Sequence, residues 1–237
     1  MLKISGLSKT YNGNKKAVDN MNLEVLNGDI YGFIGPNGAG KTTTIKAVTG
    51  ILDFEEGDIQ IDNISIKDEP VKCKRIIAYV PDNPDIYEYL TGIQYLNFIS
   101  DIFQIDKSER ESLIKKYADI LDITKNLGDL ISSYSHGMKQ KLVIVSALIH
   151  KPRLLILDEP FVGLDPKASH LLKEIMKDLC KKGCAIFFST HVLEVAEKLC
   201  NKVAIIKDGK LVVSGETKNV MGDSSLENVF MELFKNE

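Results

Sequence analysis

The sequence predicts an α/β fold: a mixed, largely parallel sheet, an N-terminal antiparallel β subdomain and an inserted α-helical subdomain. Three observations carry this reading. Beyond residue 154, short apolar runs and helical patterns alternate strictly, the rhythm of βαβ units in a parallel sheet with helices on both faces. Before residue 67, apolar and polar residues alternate with period two. Between them, apolar residues recur every three or four positions.

In order, residues 2–4 and 21–26 alternate as strands, and Ile30, Tyr31, Gly32, Phe33 and Ile34 form a buried apolar strand. That strand ends in glycines, and a helical pattern begins at Lys41. Ile59, Ile61, Ile64 and Ile66 mark a small antiparallel unit, and residues 76–80 form a short strand stopped by Pro81. Residues 91–121 read as helical through Ile93, Leu96, Ile99, Ile102, Leu113, Ile114, Tyr117 and Leu121, and a second helix follows Ser135 as far as about residue 149. Strands at 154–157, 185–188 and 203–206 then enclose helices at 167–181 and 192–199. One domain spans 1–237, its core lobe about 1–84 and 151–237, its helical lobe about 85–150. Leu226, Val229, Phe230, Leu233 and Phe234 add a short amphipathic helix.

Composition is that of an ordinary globular domain, 44% hydrophobic and 27% charged. A net charge of −3 supplies no overall basic field, so nucleic acid is not an expected partner. Residues 142–149 form an apolar run far too short to cross a bilayer, and residues 1–6 lack the apolar stretch of a signal peptide. The expectation is a cytoplasmic chain. Cys73, Cys180, Cys184 and Cys200 form no CxxC pair and read as reduced thiols.

Gly35, Pro36, Asn37, Gly38, Ala39, Gly40, Lys41 and Thr42 fit G-x-x-x-x-G-K-[ST] without a mismatch. Chance produces this pattern in roughly one chain per hundred of this length. The glycines let successive N–H groups converge on a polyphosphate, and the following helix adds its positive end. Lys41 reaches the terminal phosphates and the Thr42 hydroxyl is a Mg²⁺ ligand, with Thr43 the next member of the binding set. A second site follows the apolar run 154–157, where Asp158 and Glu159 emerge at the carboxyl end of a strand. Asp158 suits Mg²⁺ held through its waters; Glu159 suits orientation and deprotonation of an attacking water.

With both sites in place, the chain resembles the nucleotide-binding subunit of an ATP-binding cassette (ABC) transporter, a P-loop NTPase. Tyr134, Ser135, His136, Gly137, Met138, Lys139 and Gln140 resemble that family's LSGGQ signature. The resemblance implies that Ser135 and Gly137 bind the γ-phosphate of a nucleotide held by a second cassette, identical or different, in a head-to-tail dimer. It implies that Tyr11 stacks on adenine, that Gly163, Leu164 and Asp165 contact the partner, and that His191 touches the γ-phosphate. The implied activity is ATP hydrolysis with Mg²⁺, with Lys41, Glu159 and His191 as catalytic residues, driving a separate transmembrane permease from the inner face of the cell membrane. The Ser-x-Gly-Met-Lys-Gln form and the Leu-Glu-x-Val-Phe pattern at 226–230 resemble the multidrug and antibiotic export branch. Alternatives are a soluble ABC ATPase acting on ribosomes or DNA, and an ATP-gated cassette that regulates a partner.

One departure bears on mechanism. After Val80 and Pro81 stands Asp82, where the family has glutamine. A carboxylate is a suitable Mg²⁺ ligand, but it adds negative charge beside a triphosphate and, ionised, donates no hydrogen bond. Slower hydrolysis or altered coupling is expected, with ATP binding intact.

Overall fold

A computed structural model describes residues 1–11 and 16–235. The N-terminal strands β1 (Leu2–Thr10) and β2 (Lys16–Val25) pair antiparallel, and β1 pairs antiparallel with β4 (Glu56–Ile61), which turns into β5 (Ile64–Ser65). Their order is β2-β1-β4-β5. Between β2 and β4 the chain makes β3 (Ile30–Ile34) and α1 (Lys41–Val48), which belong to the main layer.

The main sheet has the order β10-β9-β3-β8-β7-β6, with β6 (Ile77–Val80), β7 (Leu154–Asp158), β8 (Ala185–Thr190), β9 (Lys202–Lys207) and β10 (Lys210–Glu216). Only the β9–β10 pairing is antiparallel. Helix α2 (Pro70–Ile76) leads into β6. From β6 the chain leaves the sheet for α3 (Gly92–Ile102), α4 (Lys107–Ile120) and α5 (His136–Leu148), and it returns at β7. Helices α6 (Pro166–Lys181) and α7 (Leu193–Leu199) cross over to β8 and β9; α8 (Thr217–Met221) and α9 (Leu226–Phe234) close the described chain.

The two faces of the sheet are buried differently. Ile34, Leu155, Leu157, Ile186 and Phe188 share one apolar cluster with Leu96, Ile144, Leu172 and Leu226, so helices cover that face. Phe33, Ile156 and Phe187 point the other way and join Ile45 of α1 with Ile4, Met21 and Ile59 of the antiparallel sheet. Burial on both faces is why β3, β7 and β8 are continuous apolar runs. The expected cover of helices on both faces is thus half met: the second face lies largely under another sheet.

Other differences have local causes. The helical pattern 91–121 is two helices, broken where Gln104 takes a φ of 57° and Ile105 N returns to Ser100 O. Thr91 opens α3 with a capping box, its hydroxyl accepting from Gln94 N while Thr91 N donates to the Gln94 side chain. α2 and β10 lie outside the expected elements: α2 is only seven residues long, and β10 alternates exposed and half-buried residues on the sheet edge.

Phe187 lies fully buried between Phe33 and Tyr31, ring centroids 5.3 and 6.1 Å away. Phe187→Ala is expected to lower unfolding free energy by about 3–5 kcal/mol, and Phe187→Leu by less than about 1.5, in urea titrations followed by circular dichroism.

Candidate active site

The parallel register brings three chain segments level. Ile34 pairs with Thr190 across β3–β8, and Asp158 pairs with Ser189 across β7–β8. The glycine loop therefore leaves the sheet beside the ends of β7 and β8. Gly35 must be glycine because a Cβ there would meet Ile206 O of β9 at 2.5 Å. Gly40 has φ 105° and would place a Cβ 2.3 Å from Ala17 O. Pro36, Asn37 and Gly38 form the exposed crest, with Ala39 buried beneath. Gly40 caps α1 without a side chain, so the positive end of that helix carries no competing side-chain acceptor.

Lys41, 6% exposed, donates to Gly35 O at 2.7 Å and Pro36 O at 3.2 Å, and its Nζ lies 3.6 Å from Glu159 Oε1. Thr42 is exposed beside it. Tyr11 is half exposed, its hydroxyl 3.5 Å from Thr43 Oγ1, so the two residues meet at the first turn of α1.

Ser189 ties the acidic pair together. Its hydroxyl donates to Asp158 Oδ1 at 2.5 Å and accepts from Glu159 N at 3.0 Å. Glu159 takes φ 48°, a left-handed conformation costing about 1–2 kcal/mol for an L residue, which redirects its carboxylate as the chain leaves β7. That carboxylate also receives His191: Nδ1 lies 3.0 Å and the backbone N 3.4 Å from Oε2. An ionised carboxylate only accepts, so Nδ1 carries the proton in this contact. Among the described residues, Asp158 Oδ2 and Glu159 Oε1 are buried and receive no hydrogen bond. The Asp158 oxygen is a hard, dry acceptor that fits a hydrated divalent cation.

Asp82 faces the same acids. Burial raises its carboxyl above the usual carboxylate range, with the charges of Asp158 and Glu159 adding to the rise; His136 and His191 oppose it. Asp82 therefore belongs to one electrostatic cluster with both sequence-predicted acids.

The signature segment is built separately. Ser135 caps α5, its hydroxyl accepting from Met138 N at 3.3 Å, and among the described residues no hydrogen bond joins it to Lys41, Asp158, Glu159 or His191. A Cβ on Gly137 would lie 2.8 Å from Gly163 O; one on Gly163 would lie 2.4 Å from the His136 ring. The imidazole at position 136 thus rests on the bare face of Gly163. Asp165 caps α6 through Ala168 N at 2.8 Å and pairs with Lys141 at 3.0 Å. The Ala168 N–H, then Lys141, hold its carboxyl below the usual range.

The ABC transporter family model matches residues 18–162, from the antiparallel sheet through both acids. The chain belongs to the ABC transporter family, as an ATP-binding subunit. The linearmycin resistance ATP-binding protein LnrL of Bacillus subtilis (strain 168) is 33% identical over 215 residues, covering 91% of this chain and 69% of LnrL. A solved ATP-binding subunit of an ABC transporter superposes with a TM-score of 0.94 at 33% identity, over 99% of each chain. A dimeric post-hydrolysis ATP-binding cassette bound to ADP and Pi shares the fold, with a TM-score of 0.85 at 23% identity over 92% of this chain and 99% of that one. Cassettes of this family bind ATP and are ATPases.

Ser189 was not among the residues expected at the site of this cassette. The signal was a serine closing the apolar run 185–188, but a hydroxyl at a strand end names no partner. Ser189→Ala is expected to lower ATP turnover about 10- to 100-fold, the range for groups that orient a ligand from behind, with ATP affinity within twofold by nucleotide titration.

Proposed function

We propose that this chain is the ATP-hydrolysing subunit of an ABC exporter, acting as a dimer of cassettes on a separate membrane permease at the cytoplasmic face of the cell membrane. The observation that carries the reading is the Glu159 carboxylate, held between Lys41 and His191, with Oε1 buried, 3.6 Å from the Lys41 ammonium and accepting no hydrogen bond. Among the described residues no helix is long and apolar enough to cross a membrane, so the spans are assigned to the permease.

The glycine loop and Lys41 bind the phosphates of ATP, and Tyr11 takes the adenine. Thr42, Asp158 and Asp82 would hold Mg²⁺, which neutralises charge on the phosphate oxygens when bound. Glu159 accepts a proton from water as its oxygen attacks the γ-phosphorus. The bond from that phosphorus to the bridging oxygen breaks, leaving ADP and inorganic phosphate. Lys41 and His191 stabilise the charge that develops, and His191 holds Glu159 in place through Nδ1. Ser135 and Gly137 of a second cassette complete the site, in keeping with the absence, among the described residues, of any hydrogen bond from Ser135 to the hydrolytic residues of its own chain.

Residues 85–150 act as the lobe that meets the permease. Tyr87, Tyr89, Phe98 and Ile102 are exposed there, and Tyr87 packs against Tyr89 at 5.8 Å and Phe98 at 5.7 Å. An exposed aromatic cluster of this kind suits a protein partner. Export is supported by the likeness to LnrL, a resistance protein, and by the export-like forms of the signature and of residues 226–230.

Glu159→Gln is expected to cut phosphate release by roughly 10²–10⁴-fold. The tagged variant, purified from detergent-solubilised membranes with ATP and Mg²⁺, should carry a polytopic membrane protein. Ribosomes or DNA in its place, with an active parent, would assign the chain to the soluble ABC ATPases; a parent with no turnover would make it a regulatory cassette. Asp82→Gln removes one charge from the acid cluster and restores an amide donor. It is expected to raise turnover severalfold with ATP affinity within twofold; unchanged turnover and coupling would count against the role given to Asp82.

A further inference from the structure

At the opposite end of the sheet lies a cavity of about 570 Å³ that none of the nucleotide chemistry uses. Its walls come from α4 on one side and from the loops before β7 and β8 on the other. β7 begins at Leu154, next to the cavity's Arg153, and ends at Asp158, so about 13 Å of strand separates the two sites.

The lining carries four cations, Lys116, Lys151, Arg153 and Lys182, and no carboxylate. Lys151 pairs with Glu109, and Arg153 forms a two-pronged pair with Asp62; neither acid lines the cavity. Lys116 sits over the Tyr117 ring at 5.1 Å, and among the described residues neither Lys116 nor Lys182 is ion-paired. The lining thus brings to one cavity two lysines outside any ion pair among the described residues, Lys116 from α4 and Lys182 from the loop before β8. The Cys184 thiol, pushed up to about 11 by burial, stays protonated and adds no negative charge. Gly183 opens further room, since a Cβ there would meet nothing within 4 Å. Leu113, Pro152 and Leu179 add apolar wall suited to the body of a small organic molecule, and Asn27 adds an uncharged polar side chain.

We propose that this cavity is a second ligand site, taking the phosphate monoester of a small organic molecule between Lys116 and Lys182. The volume lies within the 300–1,000 Å³ typical of small-molecule sites. A dianionic phosphate answers two lysines as point charges. A ligand held by both walls ties α4 to the core and biases how residues 85–150 sit against the sheet. By linkage, an ester that favours one arrangement changes ATP affinity, and ATP changes ester affinity by the same factor.

The test uses the full chain with its nucleotide site saturated by ADP and Mg²⁺, so that the glycine loop cannot capture the probe. Glucose 6-phosphate is titrated by calorimetry, with glucose as the uncharged control. Binding is expected for the phosphate ester only, and Lys116→Glu/Lys182→Glu should weaken it at least tenfold. Both lysines are exposed, so the variant should keep the parental melting temperature and, without ester, the parental ATPase rate. Added ester should shift ATP affinity about threefold in the parent and not in the variant. Absence of ester binding, or ester binding that survives the charge reversal, would overturn the proposal. Sedimentation with phosphatidate vesicles separates the sources: vesicle binding lost in the variant, with no binding of the soluble ester, would replace the soluble ligand with a lipid headgroup.

Discussion

Everything at the nucleotide end depends on the parallel pairing of β8 with β3 on one side and β7 on the other. That register fixes Ile34, Thr190, Ser189 and Asp158 at one level, and the side chains that follow have little freedom in where they emerge. A slip of one residue would turn each strand's side chains to the other face. Here that would exchange Phe33, Ile156 and Phe187 with Ile34, Leu157 and Phe188 between two differently shaped cores. Packing on both faces is therefore what holds the candidate site in register, and the residues doing it carry no chemistry.

The same geometry explains how charge is managed. Asp82, Asp158 and Glu159 stand together, and Lys41 and His191 offset part of that charge. The Ser189 hydroxyl satisfies one Asp158 oxygen while fixing the Glu159 backbone, so the two neighbouring acids face different work. A polyphosphate bound as proposed would add further negative charge to this cluster, so a carboxylate at position 82 would matter more than its exposed position suggests.

The parallel strands were legible because burial on both faces writes them as unbroken apolar runs between glycines and acids. The glycine loop was legible because its conformation can be met by few residues. Asp158 and Glu159 stood out as two acids at the end of an apolar strand. Ser189 was not legible, since its importance lies in pairing with a strand thirty residues earlier. The sheet over the second face was missed because βαβ rhythm reports connections and not what covers the far side. The break at Gln104 was missed because apolar spacing ran on through a residue whose backbone turns left-handed.

The imidazole of His136 resting on Gly163 couples the first turn of α5 to the turn that precedes α6. A side chain at 163 would collide with that ring, and because Gly163 holds φ 79°, a glycine at 136 would remove the collision without making the backbone suit another residue. Glycine at 163 is thus required twice over, by its own backbone and by the ring, and a smaller residue at 136 relaxes only the second requirement. Substitution along this seam is therefore limited by backbone conformation as well as by the ring.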